Sequence, residues 1–314
     1  MSAQQQLRQS ITEQIVAALE TGDTPPWRRP WRVGPNAGFP ANVVSRKAYR
    51  GINPILLELA ASRHNLTSKW WGTFNQWKQL GGKVTARPSH VPQGRWGTQI
   101  VFWSPVTKAV TNERGEDEED RFFVMRAYTV FNVDQVEGDR LDHLRAGREE
   151  DDTTGRVINY EPAETAIAAT GVTIRHGGTR AFYAPSEDYV QMPPRASFSE
   201  PGEYYETILH ELVHATEHPS RLNWSRKEAE NTYAMGELVA EIGACYLARE
   251  LGVPASEGLS NHVAYLANWL KAMKDDPRFI FQASAQASRA ADYLLAFSRH
   301  EEAGADEPEA LLVG

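Results

Sequence analysis

The chain has 314 residues, 41% of them hydrophobic, and a net charge of −8, which is long and apolar enough for two domains with buried cores. Its one cysteine, Cys245, excludes an intrachain disulfide and a cysteine-based zinc site. No 18-residue apolar run occurs and residues 1–22 lack the apolar core of a secretory signal, so no membrane partner is expected and a reducing cytoplasm is.

In chain order, residues 4–21 are predicted to form a helix, ended by the Gly22-Asp23-Thr24-Pro25-Pro26 breaker. An irregular Trp- and Arg-rich stretch, 27–32, follows. Asn53-Pro54 opens a helix to about His64, and Ser68 caps another predicted over Lys69–Leu80. Gly81-Gly82 turns the chain into strands near 83–87 and 98–104. The acidic segment Glu113–Asp120 reads as a solvated hairpin loop before a strand at 121–131. Apolar periodicity lapses between Gln135 and Gly155, which predicts domains at 1–135 and 156–314 joined by a linker at 136–155. The second part starts with a helix from Pro162 to Ala169, closed by Gly171. Strands follow at 172–175 and 180–184, an extended segment at 188–193, and then four helices, the last two near 257–274 and 284–300. The tail from Glu301 reads as frayed. The class is α+β: a small α+β domain, then a mainly helical one with a small sheet.

Charge divides the chain. Residues 1–103 carry 13 Lys and Arg against 4 Asp and Glu, while the remainder carries 20 against 37. Seven of the nine tryptophans also lie in that basic third. Single-stranded nucleic acid is held by positive charge along its backbone and by aromatic faces on which bases stack. Both residue types interleave here in Arg46, Lys47, Tyr49 and Arg50, in Lys69, Trp70, Trp71, Phe74, Trp77 and Lys78, and in Arg95 and Trp96. The expected mode is salt-dependent binding of single-stranded DNA without sequence preference. Packing is the competing use for each tryptophan, since aromatics dominate small cores. Lys47, Arg50, Lys69 and Lys78 are the first choices for backbone contacts.

The sharpest signal is Leu209-His210-Glu211-Leu212-Val213-His214. Histidines four apart share a helix face and can reach one metal ion, and the glutamate between them can take a proton from water on that metal. The apolar flanks Tyr204, Tyr205, Ile208, Leu209, Leu212 and Val213 predict burial, where two histidines and a glutamate need a partner. A catalytic zinc takes three protein ligands. His218 fits poorly as the third: each further step of four residues drifts by about 40° around the helix, and Pro219 ends it. Glu237 and Glu241, on one face of a downstream helix of small and apolar residues, fit better. One can ligate while the other receives the N–H of a ligand histidine.

Glu-x-x-x-acid after His-Glu-x-x-His resembles the thermolysin-like zincins, or gluzincins. That resemblance implies Glu237 as ligand, Glu241 as support, one zinc per chain, and Glu211 as general base that passes its proton to a leaving amine. Tyr233 is a candidate for stabilising the oxyanion. Both parts of the chain also resemble the ArdC antirestriction family of conjugative plasmids and phages. The likeness rests on Pro40-x-Asn42 leading to Tyr49-Arg50-Gly51-Ile52-Asn53, on Trp71-x-Thr73-Phe74-Asn75-Gln76, and on residues 130–138. It continues through Arg180-Ala181-Phe182-Tyr183, Asp188-Tyr189-Val190-Gln191-Met192-Pro193, the metal motif, Arg221-Leu222 and residues 237–243, and covers roughly residues 5–300. It implies a single-stranded-DNA-binding domain joined to a zincin-like metallopeptidase domain, protecting incoming DNA from host restriction, with a protein of that restriction system as substrate and transfer into a recipient cell conceivable. The turn His90–Gly97, Glu217 and Gly236 depart from the family pattern. Two rival readings are a DNA-binding shield with a structural or vestigial metal, and a toxin-like effector peptidase.

Overall fold

The computed structural model describes residues 2–21, 24–28, 36–111, 117–145, 160–224, 232–256 and 260–302. The chain divides into two compact units, Met1–Pro26 with Arg32–Glu149, and Trp27–Trp31 with Glu150–Gly314.

The first unit opens with helix α1 (Ala3–Glu20), started by a reciprocal capping box between Ser2 and Gln5 and burying Ile11, Ile15, Val16 and Leu19. Its main sheet has the order β1-β2-β5-β4. The two-residue β1 (Ala41–Asn42) runs parallel to β2 (Trp70–Thr73), and β2 pairs antiparallel with β5 (Asp117–Asn132). β5 in turn forms a long hairpin with β4 (Thr98–Thr111). Helix α2 (Asn53–His64) ends on Asn65 in the left-handed conformation and packs against β4. The Asn53 side chain exchanges two 2.8 Å hydrogen bonds with the Val101 backbone. A second, two-stranded sheet joins β3 (Lys83–Val84) to β6 (Val136–Glu137).

Three expectations change. The helix predicted over Lys69–Leu80 is strand β2 followed by the short helix α3 (Phe74–Gln79). Trp70 and Trp71 have strand-forming side chains, and pairing Trp71 with Asn132 of β5 overrides local helical periodicity. Gly72 then lies so close to its neighbours that a Cβ would stand 2.8 Å from Val43 and 3.1 Å from the Trp77 ring. The hairpin strands extend past the predicted 98–104 and 121–131, and the centre of the acidic loop lies outside the described residues. Residues 136–145, expected in the linker, form β6 and a 3-10 turn at Asp139–Leu144 that buries Leu141 and Leu144; most of the remaining linker is outside the described residues.

The second unit begins with helix α4 (Glu161–Ala169). A three-stranded sheet of order β7-β9-β8 follows: β7 (Thr173–His176) is parallel to β9 (Tyr189–Met192), and β8 (Phe182–Ala184) is the antiparallel edge. Helix α5 (Pro201–Ala215) lies against β8 and β9 and against α6 (Thr232–Glu250). Helix α6 also packs on α7 (Ser260–Asp275) and α8 (Phe279–Glu302), so it is buried around most of its circumference. Gly243 permits its close approach to α5, where a Cβ would stand 2.9 Å from Val213.

Trp77 is fully buried and its Nε1 donates to the Phe131 carbonyl at 2.9 Å, whereas Phe74, three residues away, is 55% exposed. Denaturant unfolding should show Trp77→Ala costing roughly 3–5 kcal/mol, as large aromatic-to-alanine changes in cores do. Phe74→Ala should stay within about 0.5 kcal/mol of the parent.

Candidate metal centre

Helix α5 places His210 and His214 on one face, one turn apart, and α6 brings Glu237 against them. The two imidazole Nε2 atoms are 3.2 Å apart. Glu237 spans them, Oε2 at 3.6 Å from His210 and Oε1 at 3.6 Å from His214. One potential ligand atom from each residue lies within 4.8 Å of the other two. Two nitrogens bound tetrahedrally to one zinc at about 2.0–2.1 Å would stand roughly 3.3 Å apart, so two imidazoles and a carboxylate at these spacings fit a single divalent cation. Electrostatics agree. Burial works against charge on His210, but Glu237 and the nearby carboxylates outweigh it and raise its pKa, so the pocket favours a positive charge.

Glu211 is nearly buried and lines the same cleft of 1190 Å³. The cleft is also walled by the strand-entry segment Thr179–Tyr183 and by Tyr233 and Tyr265. These last two phenols are 3.0 Å apart, and that hydrogen bond raises the pKa of Tyr265. Tyr233, offered as an oxyanion donor, is exposed rather than in the core. His218 lines the cleft but is not one of the three clustered ligands, and its Nδ1 is 2.7 Å from Ser220 Oγ.

The carboxylate beside His214 Nδ1 is Glu217, at 3.3 Å, and its spacing of three residues from His214 on the same helical path is the signal that could have identified it. Glu241, expected to support a ligand histidine, accepts from Arg28 Nε at 2.5 Å, and its charge also helps raise the pKa of His210. Both side chains are almost wholly buried, and Arg28 also reaches Glu206 at 3.8 Å. Burial disfavours the Arg28 charge, but Glu241 more than compensates and lifts its pKa above the ordinary value. Glu206, raised by burial, is held by the Ser256 hydroxyl and backbone N–H. No sequence pattern links Arg28 to Glu241.

Beyond His214, Arg221 grips Asp188 with two bonds of 2.7 and 3.0 Å and also donates to the Ala215 carbonyl. Tyr183 donates to the same Asp188. This clamp fastens the β8–β9 turn to the end of the histidine-bearing helix. Asp188 adopts φ +50, a left-handed conformation that Asp and Asn tolerate.

The residues proposed to touch DNA separate into two sets. Trp70 and Trp77 belong to one apolar cluster, with Val43, Val133 and Leu141, and Tyr49 and Trp71 to another, with Leu57, Ile100 and Val130. Their rings are buried where the sheet meets its covering elements, so none of the four offers a face to a base. Trp96 is half-buried, donating to the Thr85 carbonyl and meeting His64 edge-on. Arg95 bonds Gln14, Arg50 lies over Phe39, and Arg46 and Lys69 lie over the Trp70 ring at 4.4 and 5.0 Å. Lys47, Phe74 and Lys78 are exposed.

Residues 5–131 match the N-terminal domain of anti-restriction factor ArdC, and residues 161–286 match a zincin-like metallopeptidase family. The crystal structure of the metal-free ArdC antirestriction protein from plasmid R388 superposes with a TM-score of 0.75 at 36% identity, over 94% of this chain and 98% of that one. The chain belongs to the ArdC antirestriction family. A Mn(II)-bound structure of R388 ArdC matches with a TM-score of 0.70 over 93% of this chain. Uncharacterized protein y4eC of Sinorhizobium fredii is 35% identical over 90% of both chains. The DNA primase TraC of Escherichia coli is 35% identical over 93% of this ArdC-family chain, which spans only 27% of TraC. The α+β class and the order of an ArdC N-terminal domain before a zincin-like domain are those expected from the sequence.

Two outcomes follow from the ion pairs. Arg28→Ala strands a buried carboxylate and should destabilise the protein by roughly 3–5 kcal/mol in calorimetry. The Arg221 bonds hold the Asp188 pKa below the ordinary carboxylate range. The stabilisation is therefore complete above the unfolded-state pKa of Asp188 and disappears as pH falls through its folded-state pKa. Asp188→Asn should lower stability by roughly 1 kcal/mol at pH 7, given solvent screening of a partly exposed pair, and thermal melts of the two proteins should converge in acid.

Proposed function

We propose that this protein is a cytoplasmic antirestriction factor that binds single-stranded DNA through its first unit and carries a zinc-dependent metallopeptidase site in its second. The carrying observation is the His210–His214–Glu237 cluster within 4.8 Å, beside Glu211 in one cleft. When bound there, zinc would polarise a peptide carbonyl and lower the pKa of a water molecule. His210, His214 and Glu237 hold the ion. Glu211 takes the proton of the attacking water on its carboxylate and delivers it to the leaving amine nitrogen. Strand β8 is the edge of its sheet, and its outer backbone groups offer an extended peptide partners alongside the cleft. The Arg221–Asp188–Tyr183 clamp keeps that edge fixed relative to the histidines. Manganese bound to R388 ArdC supports a divalent-ion site here, and the nitrogen-rich donor set favours zinc.

Single-stranded DNA binding draws support from the match to the ArdC N-terminal domain and from the excess of cations in residues 1–103. The R388 protein is named an antirestriction protein, which supports a role for this chain in protecting incoming DNA from restriction.

Glu211→Gln separates catalysis from metal binding. The variant should retain one ion per chain by elemental analysis, lose about 100- to 10,000-fold in peptide cleavage, and fail to raise the yield of unmodified plasmid DNA entering a restricting host. Full protection by Glu211→Gln would show that DNA shielding alone is the function.

A further inference from the structure

The first unit exposes aromatic side chains in two places. One is the β4–β5 hairpin, which presents Phe102, Trp103, Phe123 and Tyr128. The other is the start of α3, which presents Phe74, beside the loop that carries the exposed Val44. Charge distinguishes them. The outer end of β5 begins with Asp117-Glu118-Glu119-Asp120, four acidic residues in a row on the hairpin. By contrast, residues 36–57 and 59–97 contain no Asp or Glu, so the segments forming β1, its following loop, β2 and α3 are free of acidic residues throughout, whereas the hairpin is free of them only away from its end. A polyanion is repelled at the hairpin's end and attracted at α3.

The α3 face is also built rather than loose. Asn42 Oδ1 accepts from the backbone N–H of Val44 and of Ser45, each at 3.0 Å, and so fixes the turn. Asn42 Nδ2 donates to Gln76 Oε1 at 3.2 Å, which ties that turn to α3. Gln76 completes a capping box with Thr73. Within α3, Phe74 and Lys78 are four residues apart and share one side, while Trp77 points into the core. Arg46, in the left-handed conformation at φ +59, closes the turn with its guanidinium stacked on Trp70, and Lys47 follows it, exposed. The result is an exposed ring on α3 with Lys78 on the same helix, and Arg46 and Lys47 on the turn that Asn42 ties to that helix.

We infer that this face, Phe74 with Arg46, Lys47 and Lys78, is the seat of single-stranded DNA, with a base stacked on Phe74 and phosphates along the two sets of cations. The inference rests on the DNA-binding reading of the first unit and specifies where that binding occurs. A ring face reads no base edge and the rest of the contact is charge, so binding here should be tolerant of sequence.

Fluorescence anisotropy of a labelled oligothymidylate with the full-length protein, over a salt series, tests it. Phe74→Ala should weaken binding about five- to a hundredfold, as loss of one stacked base does, and Phe74→Tyr should restore it. Lys47→Gln with Lys78→Gln should reduce the slope of log K against log salt by roughly 1.4, or 0.7 for each cation lost to a single strand. Phe123→Ala and Tyr128→Ala should bind as the parent does. If the hairpin variants lose affinity and Phe74→Ala does not, the face is wrong while the DNA-binding reading stands. If the parent protein has no salt-dependent affinity, that reading fails and the inference with it.

Discussion

Helix α6 is enclosed by α5, α7 and α8, yet it carries two carboxylates one turn apart, Glu237 and Glu241. An ionised carboxylate in such surroundings requires a cation or several hydrogen bonds, or it protonates. The second unit meets that demand twice, in different ways. Glu241 has a permanent partner in Arg28, whose guanidinium cannot lose its proton at any ordinary pH. Glu237 faces two imidazoles, each 3.6 Å from one of its oxygens. The two carboxylates of one helix thus have different cationic surroundings, a guanidinium for Glu241 and a pair of imidazoles for Glu237. The distance over which this works is set by Gly243, whose missing side chain lets α6 approach Val213 between the two histidine turns and the core.

The first unit solves a different problem, that of short strands and irregular connections with many unpaired backbone groups. Its side-chain amides and one carboxylate supply the missing partners. Asn42 holds a turn, Asn53 closes on Val101, Asn132 caps the turn that follows β5, and Asp134 accepts from the backbone N–H of Thr67 and Ser68. These asparagines and Asp134 belong to the motifs by which the sequence resembles the ArdC family. Their work is to shape the unit.

Legibility in the sequence followed the range of the interaction. His210, Glu211 and His214 needed only helical periodicity, and most helix ends were readable from nearby Pro, Gly and capping residues. Glu237 was reachable because its helix is long and its apolar context regular. The segment Trp70–Thr73 was misread because β2 exists only through pairing with β5, about sixty residues onward, and a pair of tryptophans before a capping box is locally as good a helix start. The four buried rings among the suggested DNA contacts share that cause: which side of a sheet an aromatic faces is decided by partners distant in sequence. Arg28 is the extreme case. It sits in a stretch that reads as part of the basic, nucleic-acid-facing third, and its partner Glu241 is 213 residues away.

That pairing bears on how such a protein can be inherited. A zincin-like domain that began after the linker would appear complete, with its histidines, its glutamates and its sheet all present. It would lack the cation that neutralises Glu241, because Trp27 and Arg28 are contributed to the second unit from a point between α1 and β1. A single genetic crossover in the linker would therefore hand on a zincin-like unit missing one of its own parts. The segment that carries Arg28, though it comes before β1, is thus a structural part of the second unit.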